Sequence, residues 1–217
     1  CLVRDYKIPE EDIAVIYHGV NLEEFHPSKK LRKDIRKNLK IADQDTLLLF
    51  AGKEFRRKGL QYVFEALKIL DNDRVKLLIV GQGETAAFKK IAENMGIDNN
   101  IIFAGHSDSI SKYYAASDIF VFPSTFDAFG MVVLEAMATG LPVIVSKAAG
   151  ASELIEDGQD GILLECYRDS QAIADKIKLL ENIDLRRDMG ARARKKAERY
   201  SWEVTAGKTM EIFKEVL

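Results

Sequence analysis

The stretch DIFVFPSTFDAFGMVVLEAMATGLPVIVS, residues 118–146, decides the fold of this chain. It begins with an apolar run at 118–123, passes through a loop into an apolar helical pattern at 130–139, and ends in a second apolar run at 142–146. Runs this continuously apolar are typical of strands buried on both faces, as in parallel sheets. A strand, a helix and a strand in this order predict a β-α-β unit.

The same alternation extends along the chain in both directions. Further strands are predicted at 13–17, 46–51, 75–80, 100–105 and 161–165. Helices are predicted between them near 58–70, 84–95 and 108–116, and in the C-terminal part near 169–181, 184–198 and 202–216. The pattern therefore predicts an α/β fold with a doubly wound, Rossmann-like parallel sheet.

Composition narrows the possible functions. The chain has 217 residues, 47% apolar and 30% charged, and a net charge of -2, so one large domain is expected and nucleic-acid binding is not. The two cysteines, Cys1 and Cys166, form neither a disulfide framework nor a metal-binding spacing. No apolar run reaches the roughly 18 residues of a membrane span. Because the chain opens in mid-pattern with CLVRDYKIPEED, we expect a piece of a longer protein.

The segment HPSKKLRKDIRKNLK, residues 26–40, is strongly basic. On an exposed helix such a run is most often a solvated face, and we expect that here. A surface that faces phospholipid is the alternative, and the pattern does not choose between them.

Cations follow the predicted strand at 46–51. The loop GKEFRRKGL has Gly52 for a sharp turn and places Lys53, Arg56, Arg57 and Lys58 just before a helix. Cations at a helix N-terminus oppose the helix dipole unless an anion lies between them. Arg57 and Lys58 are therefore predicted to bind a diphosphate, whereas Arg56 is expected to point into water.

A second anion site is predicted after the strand at 118–123. The helix that starts near Gly130 has no charged residue in its first turn, and glycine allows a ligand to approach closely. Free N–H groups at such a helix start bind anions. This helix start can hold the other side of the same diphosphate.

Glu135 is the single carboxylate on that apolar helix. Burying it is costly unless it is paired or hydrogen-bonded. The two hydroxyls of a ribose would satisfy both oxygens, and so would a structural ion pair with Arg57 or Lys58. The spacing of the residues leaves both interpretations open.

Three segments resemble a known family. Residues 117–164, IYHGVNLEEFHP at 16–27 and the closing stretch at 200–217 are similar to the C-terminal, donor-binding lobe of retaining GT-B glycosyltransferases, glycosyltransferase family 4 or glycosyl transferases group 1. The signature of that family is two acidic residues separated by seven, here Asp127 and Glu135. FRRKG at 55–59 further resembles lipopolysaccharide core glucosyltransferases.

The resemblance implies a role for each matching residue. Glu135 would hold the ribose, and Asp127, normally Glu in the family, would lie near the transferred sugar. Arg57 and Lys58 would neutralise the diphosphate and act with Asp127 as catalytic residues. The remaining donor-nucleotide-binding positions would be Gly52, Phe103, Gly105, Phe129, Gly130 and Met131, with the base near 103–105.

The resemblance also implies a reaction. A sugar would move, with retention, from a nucleotide diphosphate sugar, most simply a UDP-sugar, to a glycan or glycolipid acceptor in polysaccharide or lipopolysaccharide biosynthesis. No metal or other cofactor is expected. Localisation would be cytoplasmic, with peripheral contact at the inner face of the membrane as an option.

The implied domain organisation separates residues 1–200, the nucleotide-sugar-binding domain, from a closing helix at 201–217 that crosses to an N-terminal lobe. That lobe would bind the acceptor, so this piece alone is expected to be inactive. A stand-alone nucleotide-binding module and a nucleotide-sugar epimerase are the alternatives.

Overall fold

The computed structural model describes residues 2–216, and its centre is a six-stranded sheet. The strands are β1 Thr46–Ala51, β2 Val75–Val80, β3 Ile101–Gly105, β4 Ile119–Phe122, β5 Val143–Ser146 and β6 Ile162–Leu164. Every neighbouring pair is parallel, in the order β3-β2-β1-β4-β5-β6. The predicted doubly wound sheet is confirmed.

The predicted helices also lie close to their predicted positions, whereas the short helix Leu2–Tyr6 was not predicted. They are α1 Leu2–Tyr6, α2 Lys29–Asn38, α3 Leu60–Leu70, α4 Thr85–Met95, α5 Ser111–Ala116, α6 Met131–Ala138, α7 Ser170–Leu179, α8 Ile183–Ala197 and α9 Trp202–Val216. None of the helices within residues 2–216 is long and apolar enough to cross a membrane. Cys166 is a free, exposed thiol, whereas Cys1 lies outside the described residues.

Helices cover both faces of the sheet because alternate strand residues point to opposite sides. In β1, Leu47 and Leu49 pack on the side of α5 and α6, whereas Leu48 and Phe50 pack on the side of α3, α4 and α7. Each side forms its own buried apolar cluster. This arrangement explains why the strands are apolar runs rather than alternating patterns.

The topology has one switch point, between β1 and β4. From β1 the chain builds outward through β2 to β3, and then returns to place β4 on the other side of β1. In open α/β sheets a crevice forms beyond the carboxyl ends of the strands at such a point. The loops at 52–59 and 123–130 therefore face each other across the crevice.

The predicted strand at 13–17 was wrong. Among the described residues this segment belongs to no sheet, and Val15 is 68% exposed. It runs beside the C-terminal part instead: Val20 N–H donates to Tyr200 O at 2.8 Å, and Thr205 Oγ1 donates to Tyr17 O at 3.1 Å. An apolar run without a neighbouring strand to pair with does not become a strand.

The expectation of a solvated basic face on α2 was right for its lysines and wrong for two arginines. Lys29, Lys33 and Lys37 are exposed, whereas Arg36 is only 3% exposed. Arg32 and Arg36, one helical turn apart, both bind the buried carboxylate of Asp118, at 2.8 and 3.0 Å. The carboxylate just before β4 needs cationic partners, and the helix period brings these two to it.

Candidate functional site

A cavity of about 450 Å³ lies at the switch point between β1 and β4. Seven of the ten site residues predicted from the sequence line it: Gly52, Arg57, Lys58, Asp127, Phe129, Gly130 and Met131. The other three, Glu135, Phe103 and Gly105, are not among its lining residues. The structure thus brings the two predicted anion-binding loops to one cavity.

Gly59 determines how closely the two loops approach. It has a φ of 79°, and a Cβ atom at this position would lie 2.0 Å from the carbonyl oxygen of Pro123. The adjacent hydrogen bond from Thr125 N–H to Arg57 O, at 2.9 Å, joins the same two loops. A residue without a side chain is needed here for the β1 loop to reach the β4 loop.

Lys58 and Asp127 form the ion pair of the cavity. Lys58 Nζ donates to Asp127 Oδ2, and both side chains are largely withdrawn from solvent, with 10% and 16% exposed. The ammonium also lies 5.2 Å from the ring centre of Phe122. The positive charge of Lys58 therefore lies in the cavity at the switch point, which the start of α6 also lines.

Arg57 is held in place by Glu54. Its Nε donates to Glu54 Oε2 at 2.9 Å, Nη2 donates to the same oxygen, and Nη1 donates to Phe126 O at 2.7 Å. The hydrogen bond to Glu54 raises the pKa of Arg57 and lowers the pKa of Glu54. Arg56, as predicted, is exposed, and its contact to Glu84 is a loose surface pair at 3.7 Å.

Helix α6 begins at this cavity without a side-chain cap. Gly130 precedes it with a φ of 93°, and no side chain of the described chain caps it. Asp127 Oδ1 accepts from Phe129 N–H at 3.3 Å, one residue before Gly130. The positive end of the helix dipole and its first N–H groups thus point toward the cavity that holds Lys58 and Arg57.

Glu135 is half-buried one turn further along α6, and its partner is Tyr114 of α5. Tyr114 Oη donates to Glu135 Oε2 at 2.8 Å. The structural ion pair with Arg57 or Lys58 is therefore wrong, because those cations bind Glu54 and Asp127 instead. Burial raises the pKa of Glu135, the bond from Tyr114 offsets part of that rise, and the charge of Glu24 adds to it.

Phe103 and Gly105 lie two strands away from the switch point. The side chain of Phe103 packs with the α3-α4-α7 cluster, and Lys89 Nζ lies 5.8 Å from its ring centre. Gly105 ends β3, and its carbonyl accepts from Gly81 N–H at 2.8 Å. Two inter-strand spacings are about 10 Å, so the two positions are separate from the cavity but within the span of a nucleotide.

Two polar residues of the cavity were missed from the sequence: His18 and Glu54. The His18 ring lies 5.1 Å from the ring of Phe129 and 6.3 Å from that of Trp202. The only sequence feature that could have indicated His18 is its position as a polar residue between the apolar run at 13–17 and Gly19. Glu54 stood among four cations, but its sequence position did not indicate which of them it binds.

Metal ligands do not assemble in the described residues. No group of three or more His, Cys, Asp or Glu side chains within 2–216 is arranged to hold a metal ion. The polar groups at the cavity are instead cations with carboxylate partners and a helix start, which suits an anionic ligand.

Comparison with known proteins identifies the family. Residues 32–196 match the family described as glycosyl transferases group 1. The chain belongs to this family. This group 1 domain is 31% identical over 216 residues to an uncharacterized glycosyltransferase of Methanocaldococcus jannaschii, covering 96% of this chain and 55% of that protein. It is also 31% identical over 213 residues to N-acetyl-alpha-D-glucosaminyl L-malate synthase of Bacillus anthracis, again covering 96% and 55%.

The group 1 domain spans about half the length of the curated relatives it matches. Its fold matches solved GT-B glycosyltransferases. Anabaena HepE in complex with UDP and glucose superposes with a TM-score of 0.84 at 26% identity, covering 94% of this chain and 57% of that one. WaaG, a glycosyltransferase involved in lipopolysaccharide biosynthesis, superposes with a TM-score of 0.84 at 27% identity, covering 97% and 58%.

Proposed function

We propose that this chain is the donor-binding half of a retaining glycosyltransferase that uses a nucleotide diphosphate sugar. The observation that carries the proposal is the meeting of Arg57, Lys58 and the uncapped start of α6 in one cavity at the switch point. Three positive features from two loops suit a diphosphate better than an isolated carboxylate or a single phosphate.

The diphosphate is also the leaving group of the reaction. When the bond between the anomeric carbon and the diphosphate oxygen breaks, negative charge grows on that oxygen. Lys58, Arg57 and the N–H groups of α6 already lie around the cavity, so they can stabilise this charge once the diphosphate has replaced the carboxylate partners of the two cations. This chemistry gives all three features a catalytic role as well as a binding role.

The two carboxylates of the cavity act as counterions until the donor arrives. Glu54 holds Arg57 and Asp127 holds Lys58. A diphosphate competes with both carboxylates for the cations. On release from Lys58, Asp127 can accept hydrogen bonds from hydroxyls of the transferred sugar, the role that its place in the family signature implies.

Beyond the diphosphate, the nucleoside would contact two further parts of the domain, one for the ribose and one for the base. Glu135 would accept the ribose hydroxyls, and the end of β3 around Phe103 and Gly105 would contact the base, partly through main-chain groups. Uracil is the base we favour, because a related structure of 26% identity holds UDP.

The acceptor would bind to a second lobe. Trp202, Val204, Met210 and Phe213 of α9 are exposed apolar residues, and we assign them to contact with that lobe. The acceptor would be a glycan or glycolipid, as in lipopolysaccharide or polysaccharide biosynthesis, on the cytoplasmic side of the membrane. Residues 1–200 would bind the donor, and the helix after them would cross to the lobe.

The test is calorimetric titration of the chain with UDP, GDP and ADP. UDP is expected to bind, and Arg57→Gln to weaken it about 10-fold or more, since a charge-assisted hydrogen-bond donor is lost. The matched control is Arg56→Gln, which removes an exposed guanidinium one residue away and should leave the affinity unchanged. Equal losses in both variants would reject a specific site and indicate general attraction of anions.

A further inference from the structure

Tyr114 carries a buried hydroxyl that has no part in the proposed reaction. It is 0% exposed, and its ring lies between those of Phe25 and Phe120, with centres 5.6 and 5.8 Å away. A phenol ring packed in this way cannot swing, so the position of its oxygen is fixed by the core. That oxygen lies 2.8 Å from Glu135 Oε2 and 3.2 Å from the carbonyl of Val132.

The two oxygens of Glu135 are in different situations. Oε2 takes the hydrogen bond from Tyr114, whereas Oε1 accepts none from the described residues. A long, half-buried side chain has been fixed through one oxygen while the other is left for a donor from outside. Oε1 is not among the fully buried side-chain atoms that lack a partner in the described chain, so it is accessible to a ligand donor.

We infer that Tyr114 is a positioning residue for donor recognition: its hydroxyl holds Oε2 of Glu135 so that Oε1 can accept a ribose hydroxyl. The inference rests on the proposed role of Glu135. The hydrogen bond from Tyr114 preorganises the carboxylate of Glu135. A carboxylate that is already oriented loses less conformational freedom when the nucleotide binds, so binding is stronger. Tyr114 itself need not touch the nucleotide.

The test compares UDP with 2′,3′-dideoxyuridine diphosphate, which lacks both ribose hydroxyls. Calorimetry on the chain is expected to give a preference for UDP of about 10-fold or more, since hydrogen bonds to a charged group are lost with the analogue. Tyr114→Phe should reduce that preference to about 3-fold or less, while affinity for the dideoxy analogue stays the same. A purely structural effect would lower both affinities together.

The matched control is Tyr113→Phe, which removes a hydroxyl from the neighbouring, half-buried tyrosine and should keep the full preference. In a Glu135→Gln background, Tyr114→Phe should have no further effect on the preference, because the residue it acts through has lost its charge. Thermal unfolding verifies that each variant is folded. If Tyr114→Phe does not fold, the second variant is Tyr114→Met, which also lacks the hydroxyl and whose flexible side chain can adapt to the packed site.

The outcomes separate this inference from the proposed function. A preference for UDP that Glu135→Gln abolishes and Tyr114→Phe leaves intact would overturn the role of Tyr114 and keep that of Glu135. Binding of UDP without any preference over the dideoxy analogue would overturn both roles but not the diphosphate site. Failure to bind UDP, GDP or ADP would overturn the proposed function itself.

Discussion

Lys58 and Asp127, 69 positions apart in the sequence, form an ion pair that joins the loop after β1 to the loop after β4. The pair lies where the order of the strands reverses, beside the uncapped start of α6. It therefore has a structural role, since it links two loops, and a proposed catalytic role, since it supplies a cation to the diphosphate. The two roles can be separated by experiment.

Lys58→Met should destabilise the fold by about 2–4 kcal/mol, because Asp127 is left as a poorly solvated charge without a partner. Adding Asp127→Asn should restore much of that stability, since the amide is neutral and its oxygen can still accept from Phe129 N–H. Chemical denaturation measures both values. UDP affinity should be lost in the single and the double variant alike; a double variant that recovers binding would exclude Lys58 from the diphosphate site.

Glu54→Gln should strengthen UDP binding, by up to about 5-fold, because Arg57 no longer has a competing carboxylate. The gain should shrink in high salt, which screens exposed charges. Calorimetric titration with UDP at two salt concentrations measures the gain in affinity and its dependence on salt. The control is Glu84→Gln, which removes the carboxylate beside Arg56. Weaker binding in Glu54→Gln would mean that Glu54 orients Arg57 for the ligand instead of competing with it.

Gly59→Ala should destabilise the chain by more than about 4 kcal/mol or prevent folding, since the added Cβ meets the carbonyl of Pro123. Gly96→Ala is the control. Gly96 has a similar φ of 70° but nothing within 4 Å of the added atom, so only the backbone strain of about 1–2 kcal/mol remains. Similar losses in the two variants would show that the loops can separate at no great cost.

Glu135→Gln should stabilise the fold at neutral pH by about 0.5–2 kcal/mol while weakening UDP binding, a trade of stability for function. Burial raises the pKa of Glu135 in the folded chain. Between the ordinary pKa of Glu and this raised value, the folded state keeps a proton that the unfolded state releases, so stability falls as pH rises through that window. Above the raised pKa, folding of the parent chain includes the full cost of burying the charged Glu135 carboxylate. Below the ordinary pKa of Glu the carboxyl group is protonated in both states, and this cost is absent.

Thermal unfolding at pH 4 and pH 8 checks this, because the advantage of the variant should exist at the higher pH and disappear at the lower. Besides burial, the pKa of Glu135 responds to the hydrogen bond from the neutral Tyr114 hydroxyl and to the charge of Glu24, and both groups are unchanged in the variant. UDP affinity of the parent should fall on acidification at a pH above the ordinary range of Glu. An equal advantage at both pH values would show that packing, rather than charge, is responsible.

Much of the fold follows from local sequence pattern. The six strands and the helices between them were predictable because each is a continuous apolar run or an amphipathic repeat of adequate length. The run at 13–17 has the same local character, yet it is no strand, because pairing depends on a neighbour that local pattern does not reveal. Two arginines of α2 were likewise misjudged, since their partner Asp118 lies more than 80 positions away.

The candidate site was likewise predictable only in part from the sequence. The sequence by itself determined the parallel sheet, the cationic loop after β1 and the glycine-led helix start after β4, because these depend on residue type and short spacing. Only the three-dimensional structure decided which polar side chains meet: Lys58 with Asp127, Arg57 with Glu54, and Glu135 with Tyr114. Ion pairs and hydrogen bonds act over a few ångströms. The order of the strands and the packing of the helices bring Lys58 to Asp127 and Tyr114 to Glu135, whereas the conformation of the loop after β1 selects which of its cations binds Glu54.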